Sequence, residues 1–572
     1  MLNAKTYSEI IKRLNILLFI AVVSFISYSD SIGSDSDNPG DSLPQIIYHI
    51  DLPRRSDQER KIIEIRHEKE SSLNPLAEYE MVEVVAGPNY KASGFKKFLF
   101  GAHYRDAWTT GIRVPVIELQ NTYGGLTPIK KGGGMQTSSL RLSAKDGHQY
   151  VFRSIQKDPT SVLPEELQHT FAADILQDQI STAHPYGAFV IPTLAEASGL
   201  FYNIPRLGVI PDDPNLKEYR SDFANLLVLF EQRPDDDLSD IGNYGYTSNA
   251  IGTDKLIKKV QEDNDVIVDE QELLRNRLFD MFVGDWDRHE DQWRWAEFKC
   301  KLDDDHSTCD HLPDNDTYYM PISRDRDQVF AKFDGVLPSI VSRKWLLRKF
   351  THFDYDIRDI GGINYNARFL DRSFLTRLDK DQWIEIANEL RDALSDTVIE
   401  EAIKEWPDEI YNLDGPEIIS KLKSRRDKLP EFADRYYTLL AKEVDVVGSN
   451  KHELFEVNRV NDDVTQITIY KIKQGEIRAV FYKREFYRSE TKEIRLYGLG
   501  GEDRFVLHGD VNHSILIRII GGDGEDTFFD NSHVKGLKKL TKIYDEKSGN
   551  GYNSYGETKT FFLSEDDINE YD

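Results

Sequence analysis

Along the chain the spacing of apolar residues switches between two periods, and the switches divide it. Ser138–Leu142 and Gln149–Ile155 alternate apolar with polar and read as two strands joined by the turn Lys145-Asp146-Gly147-His148. Ile46–Ile50, Ala188–Leu194, Leu207–Ile210, Leu226–Phe230 and Tyr318–Ile322 read as further strands, and Met81–Val85 is left without an assignment. Helical spacing governs Glu165–Ile180 and Asp254–Glu262. It governs Leu273, Leu274, Leu278, Met281 and Phe282 too, with Asp269 as the N-cap. Lys380–Glu405 and Pro416–Lys442 are predicted helical, the second broken at Pro430. From about Lys451 the β pattern returns over Val464–Lys471, Glu476–Tyr482 and Glu493–Leu496. Strands first and helices later predict an α+β, two-lobed unit followed by a β-rich domain.

Both ends of the chain have a different character. Lys12 and Arg13 precede an apolar run, Leu14–Ile26, interrupted by Asn15 and Ser24. The run is short for a membrane span and suits a secretory signal cleaved near Ser27-Tyr28-Ser29, with an uncleaved signal anchor as the alternative. The predicted organisation is a signal peptide over 1–29 and a linker with N-terminal extension over 30–94. A first lobe covers 95–225, a helical second lobe 226–446, a β-rich domain 447–563 and an acidic tail 564–572. The expected location is therefore the periplasm or cell envelope. There Cys300 and Cys309 would close an acidic loop as a disulfide, with a zinc site near His306 and His311 the weaker alternative. The net charge of -27 argues against nucleic acid bound through its phosphates.

Two turns in the β-rich part are related. Gly521-Gly522-Asp523-Gly524-Glu525-Asp526-Thr527-Phe528 fits a calcium-binding β-roll repeat. Gly498-Leu499-Gly500-Gly501-Glu502-Asp503-Arg504-Phe505, 23 residues earlier, is a degraded copy with Leu499 in place of the second glycine. Calcium at Asp526 and plain β-hairpin turns are the two readings, because a β-roll stacks several such repeats directly.

The densest charge lies in Gly284-Asp285-Trp286-Asp287-Arg288-His289-Glu290-Asp291-Gln292-Trp293-Arg294-Trp295 and in Arg324-Asp325-Arg326-Asp327. A loop after a buried helix and a loop after a strand can present a base and metal-binding carboxylates from a rigid scaffold. Phosphoryl transfer asks for a flap over phosphates, a cation, a carboxylate near the nucleophile and metal ligands. Lys130–Met135, with Gly132, Gly133 and Gly134, supplies a flap, and Arg153 a cation. Glu165, Glu166 or Asp174 would pair with that cation, and Glu231 sits where a hinge between lobes would fall. Asp287 is the candidate base, with Arg288 and His289 beside it, and Gln292 with Asp325 or Asp327 would hold the metal. Trp286, Trp293 and Trp295 are expected to be core, and His289 to orient or brace rather than act as base.

Asp287-Arg288-His289 with Gln292, then Pro321-Ile322-Ser323-Arg324-Asp325-Arg326-Asp327-Gln328-Val329-Phe330, resembles atypical kinase-like folds: spore-coat CotH-like, HipA-like and secretory-pathway kinases. Gly94–Asp530 also resembles a region of Bacteroidetes-type envelope proteins that follows a calcineurin-like phosphoesterase domain and can precede an outer-membrane barrel. Phe98–Arg105, Gly132–Leu142, His184-Pro185-Tyr186-Gly187 and Gly284–Trp295 carry that likeness. The resemblance implies a two-lobed kinase-like domain, ATP with Mg or Mn, and transfer of a phosphoryl or nucleotidyl group to an envelope acceptor. An envelope phosphoesterase or outer-membrane protein would be a further partner. Two departures weigh against activity: Arg153 stands where a lysine is usual, with Lys157 beyond the strand, and Gln292 replaces asparagine. A kinase-shaped scaffold or binding module, its β turns stiffened by calcium, is the alternative. A metallophosphoesterase reading rests only on Gly284-Asp285-x-Asp287-Arg288, without the other metal boxes.

Overall fold

The computed structural model describes residues 80–132, 138–159, 170–299, 317–342, 348–546, 549–554 and 558–562. The signal, linker and acidic tail lie outside these residues, as do Ile46–Ile50, Gly133, Gly134, Glu165, Glu166, the two cysteines, His306 and His311. Among the described residues no helix is long and apolar enough to cross a membrane.

β1 (Met81–Val85) pairs antiparallel with β2 (Gly111–Pro115). β3 (Thr127–Gly132), β4 (Ser139–Ser143) and β5 (Gln149–Ser154) then run as an antiparallel meander. β6 (Phe201–Tyr202) leaves for a later sheet, while β7 (Arg206–Ile210) and β8 (Leu226–Gln232) complete the order β3-β4-β5-β8-β7. Alternation along β4 and β5 buries Leu140, Leu142, Tyr150 and Phe152 with Phe230, and this sheet keeps a hydrophobic core of its own.

The second sheet, β10-β12-β11-β9, is built from β9 (Ala250–Gly252), β10 (Val266–Val268), β11 (Trp293–Lys299) and β12 (Thr317–Ser323), with β6 alongside β12. Helix Glu270–Val283 lies between β10 and β11 in the chain, capped by the Asp269 side chain on the Glu272 amide at 3.0 Å. Trp286, Trp293 and Trp295 are buried in the large core, as expected. Ala188–Leu194 is not a strand: it forms a 3-10 turn, Gly187–Val190, and a helix, Ile191–Ala197. Pro192 in the first turn of that helix matches a helix start, where its missing N–H has no intrahelical partner to lose. The later helices are Lys380–Ala393, Asp396–Lys404, Asp408–Asp427 and Leu429–Leu440. Pro416 is carried inside the third, and the predicted break falls beside Pro430.

The C-terminal strands form a two-sheet parallel stack. β13 (Glu443–Val447), β14 (Glu453–Arg459), β15 (Val464–Lys473) and β16 (Glu476–Tyr487) come first, then β17 (Glu493–Gly500), β18 (Arg504–His508) and β19 (Asp510–Val511). β20 (Leu516–Asp523), β21 (Thr527–Asp530), β22 (His533–Val534), β23 (Thr541–Asp545), β24 (Gly551–Ser554) and β25 (Thr558–Phe562) follow. One face is β13-β17-β20-β23-β25, all parallel. The other is β16-β15-β14-β18-β21-β24, parallel from β14 onward. Phe455, Phe505, Phe528 and Tyr552 stack in register with ring centroids 4.5, 5.1 and 5.2 Å apart. The Gly-Asp turns are therefore corners between stacked strands, not hairpins, and the 23-residue offset is the length of one rung. Buried groups join the stack to the helices: Tyr482 donates to the Thr376 carbonyl (2.9 Å) and Asn264 to Glu453 (2.5 Å).

Candidate functional site

Helix Glu270–Val283 ends on Gly284, which takes left-handed backbone (φ 72°) and turns the chain into Asp285–His289. Arg288 is buried beneath that loop. Its guanidinium donates to the carbonyls of Arg324 (2.8 Å) and Gln292 (3.2 Å) and lies over the Trp293 ring at 4.6 Å. It thus ties the Asp287 loop to the Asp325 loop and does not itself face the cleft, contrary to its expected place among the reacting groups. Behind it, Asp280 meets Arg277, Arg288 and Arg326. Burial would push the Asp280 carboxyl up, but the three arginines outweigh it and hold it below its ordinary value. Asp285 lies 3.5 Å from Arg288 and 3.3 Å from Arg326, and burial raises it to about 6 despite them. Facing arginines inside the protein, Asp285 cannot serve the phosphoesterase box suggested by its neighbours in sequence.

Asp287 is half-buried, and Asn366 donates to its Oδ1 at 2.7 Å. His289 and Gln292 meet each other. In the amide orientation that satisfies both ends, Gln292 accepts from His289 Nε2 (3.2 Å) and donates to the carbonyls of Arg324 (3.1 Å) and Asp325 (2.9 Å). Gln292 therefore braces two loops, and its side chain is not free to hold a metal as expected. His289 braces Gln292. Asp325 adopts φ 58°, a left-handed conformation that aspartate tolerates better than most residues. Past that backbone turn, Asp325 and Asp327 meet Arg153 and Lys157.

The cations come from β5 and the segment just after it. Arg153 on β5 donates to Glu231 Oε1 (2.8 Å) on β8 and to Asp325 Oδ2 (2.9 Å) in the loop after β12. Lys157, beyond the end of β5, donates to Asp327 Oδ2 at 2.5 Å. Burial opposes the charge on both cations, yet Asp325 and Glu231 raise Arg153, and Asp327 and Asp325 raise Lys157. Burial likewise pushes both aspartates up. Arg153 and Lys157 pull Asp325 below its usual range, whereas Asp327 stays raised because Asp325 stands beside it. The expected carboxylate partner on the following helix is corrected: Asp174 is exposed, and Arg153 uses Glu231 instead. Glu231 is engaged by that ion pair. Gly132 ends β3 opposite Ser139, and the rest of the expected flap is outside the described residues. Lys157 and Asn366 were the residues that spacing did not single out as site members. Lys157 was visible only as a cation just past a strand.

Among the described residues no three His, Cys, Asp or Glu side chains converge as a metal cage. A magnesium or manganese ion that arrives with a nucleotide needs only one or two carboxylates, its other oxygens coming from phosphate and water. Asp325 and Asp327 fit that smaller demand, their charge now balanced by Arg153 and Lys157. Calcium at Asp526 is not supported in the same way. Asp526 is buried, its Oδ1 accepts from the Asp503 amide (2.8 Å), and a calcium ion asks for six or more oxygens.

No family model matches the chain, and no curated protein matches it. Among solved structures it is similar to the Helicobacter pylori proinflammatory kinase CtkA, at 13% identity over 54% of this chain and 94% of that one, with a TM-score of 0.26. It is also similar to the golgi casein kinase, at 10% identity over 69% of this chain and 96% of that one, with a TM-score of 0.24. Likeness at this level decides nothing about the site, whose geometry stands by itself.

Proposed function

We propose that this chain is an exported, atypical kinase-like protein that binds a nucleotide with magnesium or manganese in the cleft between its lobes. It transfers a phosphoryl or nucleotidyl group to an acceptor in the cell envelope. The observation that carries the reading is the meeting of Arg153 and Lys157 from one lobe with Asp325 and Asp327 from the other, in the electrostatic field of Asp287. Phosphoryl transfer depends mainly on position and charge, and this cleft gathers both. Asp325 and Asp327 would hold the ion, which when bound would neutralise phosphate charge. Arg153 and Lys157 would then turn from the carboxylates to the phosphates. Asp287, oriented by Asn366, would accept the proton of an acceptor hydroxyl.

A second reading, a kinase-shaped envelope scaffold, is favoured by one observation. Arg153 is closed onto Glu231 and Asp325, and Gln292 is engaged by the loops it braces. Calorimetric titration with ATP, with and without Mn²⁺ or Mg²⁺, separates the two. Metal-dependent binding that disappears in Asp325→Ala plus Asp327→Ala and persists in Asp287→Asn supports the transferase. The absence of binding to the folded wild type leaves the scaffold.

A further inference from the structure

Beside the aspartates, Arg153 is joined by three arginines that the transfer reading does not use. Arg233 follows β8, its amide donating to the Gln149 carbonyl at 2.8 Å. Arg294 is on β11, opposite Ile322 of β12. Arg324 follows β12, its amide donating to the Gln292 carbonyl at 3.1 Å. Arg233 and Arg294 share the carboxylate of Asp235, Arg294 at 2.6 Å. Arg153 holds Glu231, two residues before Arg233, and Asp325, the residue after Arg324. The four guanidiniums are thus gathered by short connections close enough to act on one another. The acids that face them are Glu231, Asp235 and Asp325, with Asp254 and Asp291 beside Arg294.

Those acids do not satisfy the group. Arg324 donates from Nε (3.2 Å) and Nη2 (2.8 Å) to the Asp291 carbonyl. The Nε of Arg233 is buried without a hydrogen-bond partner, on a residue only 7% exposed. Burial, then the neighbouring arginines, pushes Arg233 down to about 9. A chain of net charge -27 has acids in plenty, yet here Arg233 keeps an unpartnered Nε and Arg324 donates to a carbonyl in place of a carboxylate. Arginine's planar fork matches phosphate oxygens two at a time, and such bonds strengthen where water is partly excluded.

We propose that Arg153, Arg233, Arg294 and Arg324 form a binding site for a polyphosphate group. The site goes beyond the transfer reading, since it needs neither a metal nor turnover. Its ligand is either the phosphate chain of a nucleotide or a multiply phosphorylated molecule without a base.

The test is calorimetric titration of the full chain in EDTA with sodium tripolyphosphate, ATP and glucose 6-phosphate. Saturable tripolyphosphate binding, weakened tenfold or more in Arg233→Gln and in Arg324→Gln and unchanged in the exposed control Arg358→Gln, is the expected result. Binding of ATP at least as tight as tripolyphosphate assigns the site to a nucleotide, and weaker ATP binding assigns it to a polyphosphate without a base. Glucose 6-phosphate should bind least. Arg324→Lys keeps the charge without the fork and serves if a glutamine variant does not fold. Saturable binding absent from the folded wild type, or equal in the variants, overturns the proposal. Because no metal is present, that failure is distinct from loss of metal-dependent ATP binding at Asp325 and Asp327.

Discussion

Lys157 Nζ stands 2.5 Å from Asp327 Oδ2, so a residue just past β5 closes on a carboxylate in the loop after β12. Removing the cation leaves Asp327 beside Asp325 with one fewer positive neighbour. Lys157→Met should lower stability by about 1–3 kcal/mol, the range for leaving a partly buried polar group unpaired. It should also lower affinity for Mn-ATP, while Lys145→Met, in an exposed turn, changes neither. Urea denaturation and calorimetry on the two variants check this.

That pair also shows what the sequence does and does not disclose. Asp287, Asp325 and Asp327 stood out because dense charge between apolar segments is unusual, and the structure brings their loops to one cleft. Lys157 did not stand out, because its role depends on a contact between residues 170 positions apart. Arg233, Arg294 and Arg324 lie on three segments, each ordinary by itself. Ala188–Leu194 was misread because a short apolar run has no period that separates a buried helix from a strand. The 23-residue offset of the Gly-Asp turns was plain, but only parallel pairing distant in sequence tells a rung from two hairpins.

Asp280 is the keystone of the buried network beneath the Asp287 loop, with Arg277, Arg288 and Arg326 all directed at it. Asp280→Asn leaves three buried guanidiniums to Asp285 and Asp371. Breaking a buried ionic cluster at one partner costs about 3–5 kcal/mol. The urea midpoint should fall accordingly, whereas Asp174→Asn on an exposed helix face should change stability by less than about 0.5 kcal/mol. Equal midpoints for the two variants would contradict the role given to Asp280.

Leu499 and Gly522 occupy the same position on adjacent rungs, paired in register, and both take left-handed backbone, φ 72° and 99°. A Cβ on Gly522 would lie 2.2 Å from the Leu499 carbonyl oxygen. Gly522→Ala should therefore destabilise the stack by about 2–4 kcal/mol, combining the left-handed penalty with overpacking. Gly475→Ala is the comparison: it shares a positive φ, 79°, but nothing stands within 4 Å of its Cβ. It should lose only about 1–2 kcal/mol, by the left-handed penalty alone. Thermal denaturation followed by far-ultraviolet circular dichroism measures both.

Inside the same stack, Asp526 and Asp545 turn Oδ2 atoms toward Gly521, each 2.3 Å from where its Cβ would be, and neither oxygen has a hydrogen-bond partner. Burial raises Asp526 from 3.8 to about 6 and Asp545 from 3.8 to about 7, the latter helped by Asp526. The folded protein then holds protons that the unfolded chain releases, so this contribution is fully present below about pH 4 and is lost as pH rises through 6 and 7. Carboxyls held low elsewhere, such as Asp265 beside Lys471 and Lys473, are already ionised above pH 5 and add little slope there. Between pH 5 and pH 8 the wild type should lose about 3–4 kcal/mol relative to Asp526→Asn plus Asp545→Asn, whose amides cannot ionise. Urea denaturation of both proteins at pH 5, 6, 7 and 8 gives the difference directly. A difference that does not change with pH would show that the two carboxyls are ionised inside the stack, stabilised by a cation or by water that reaches Gly521.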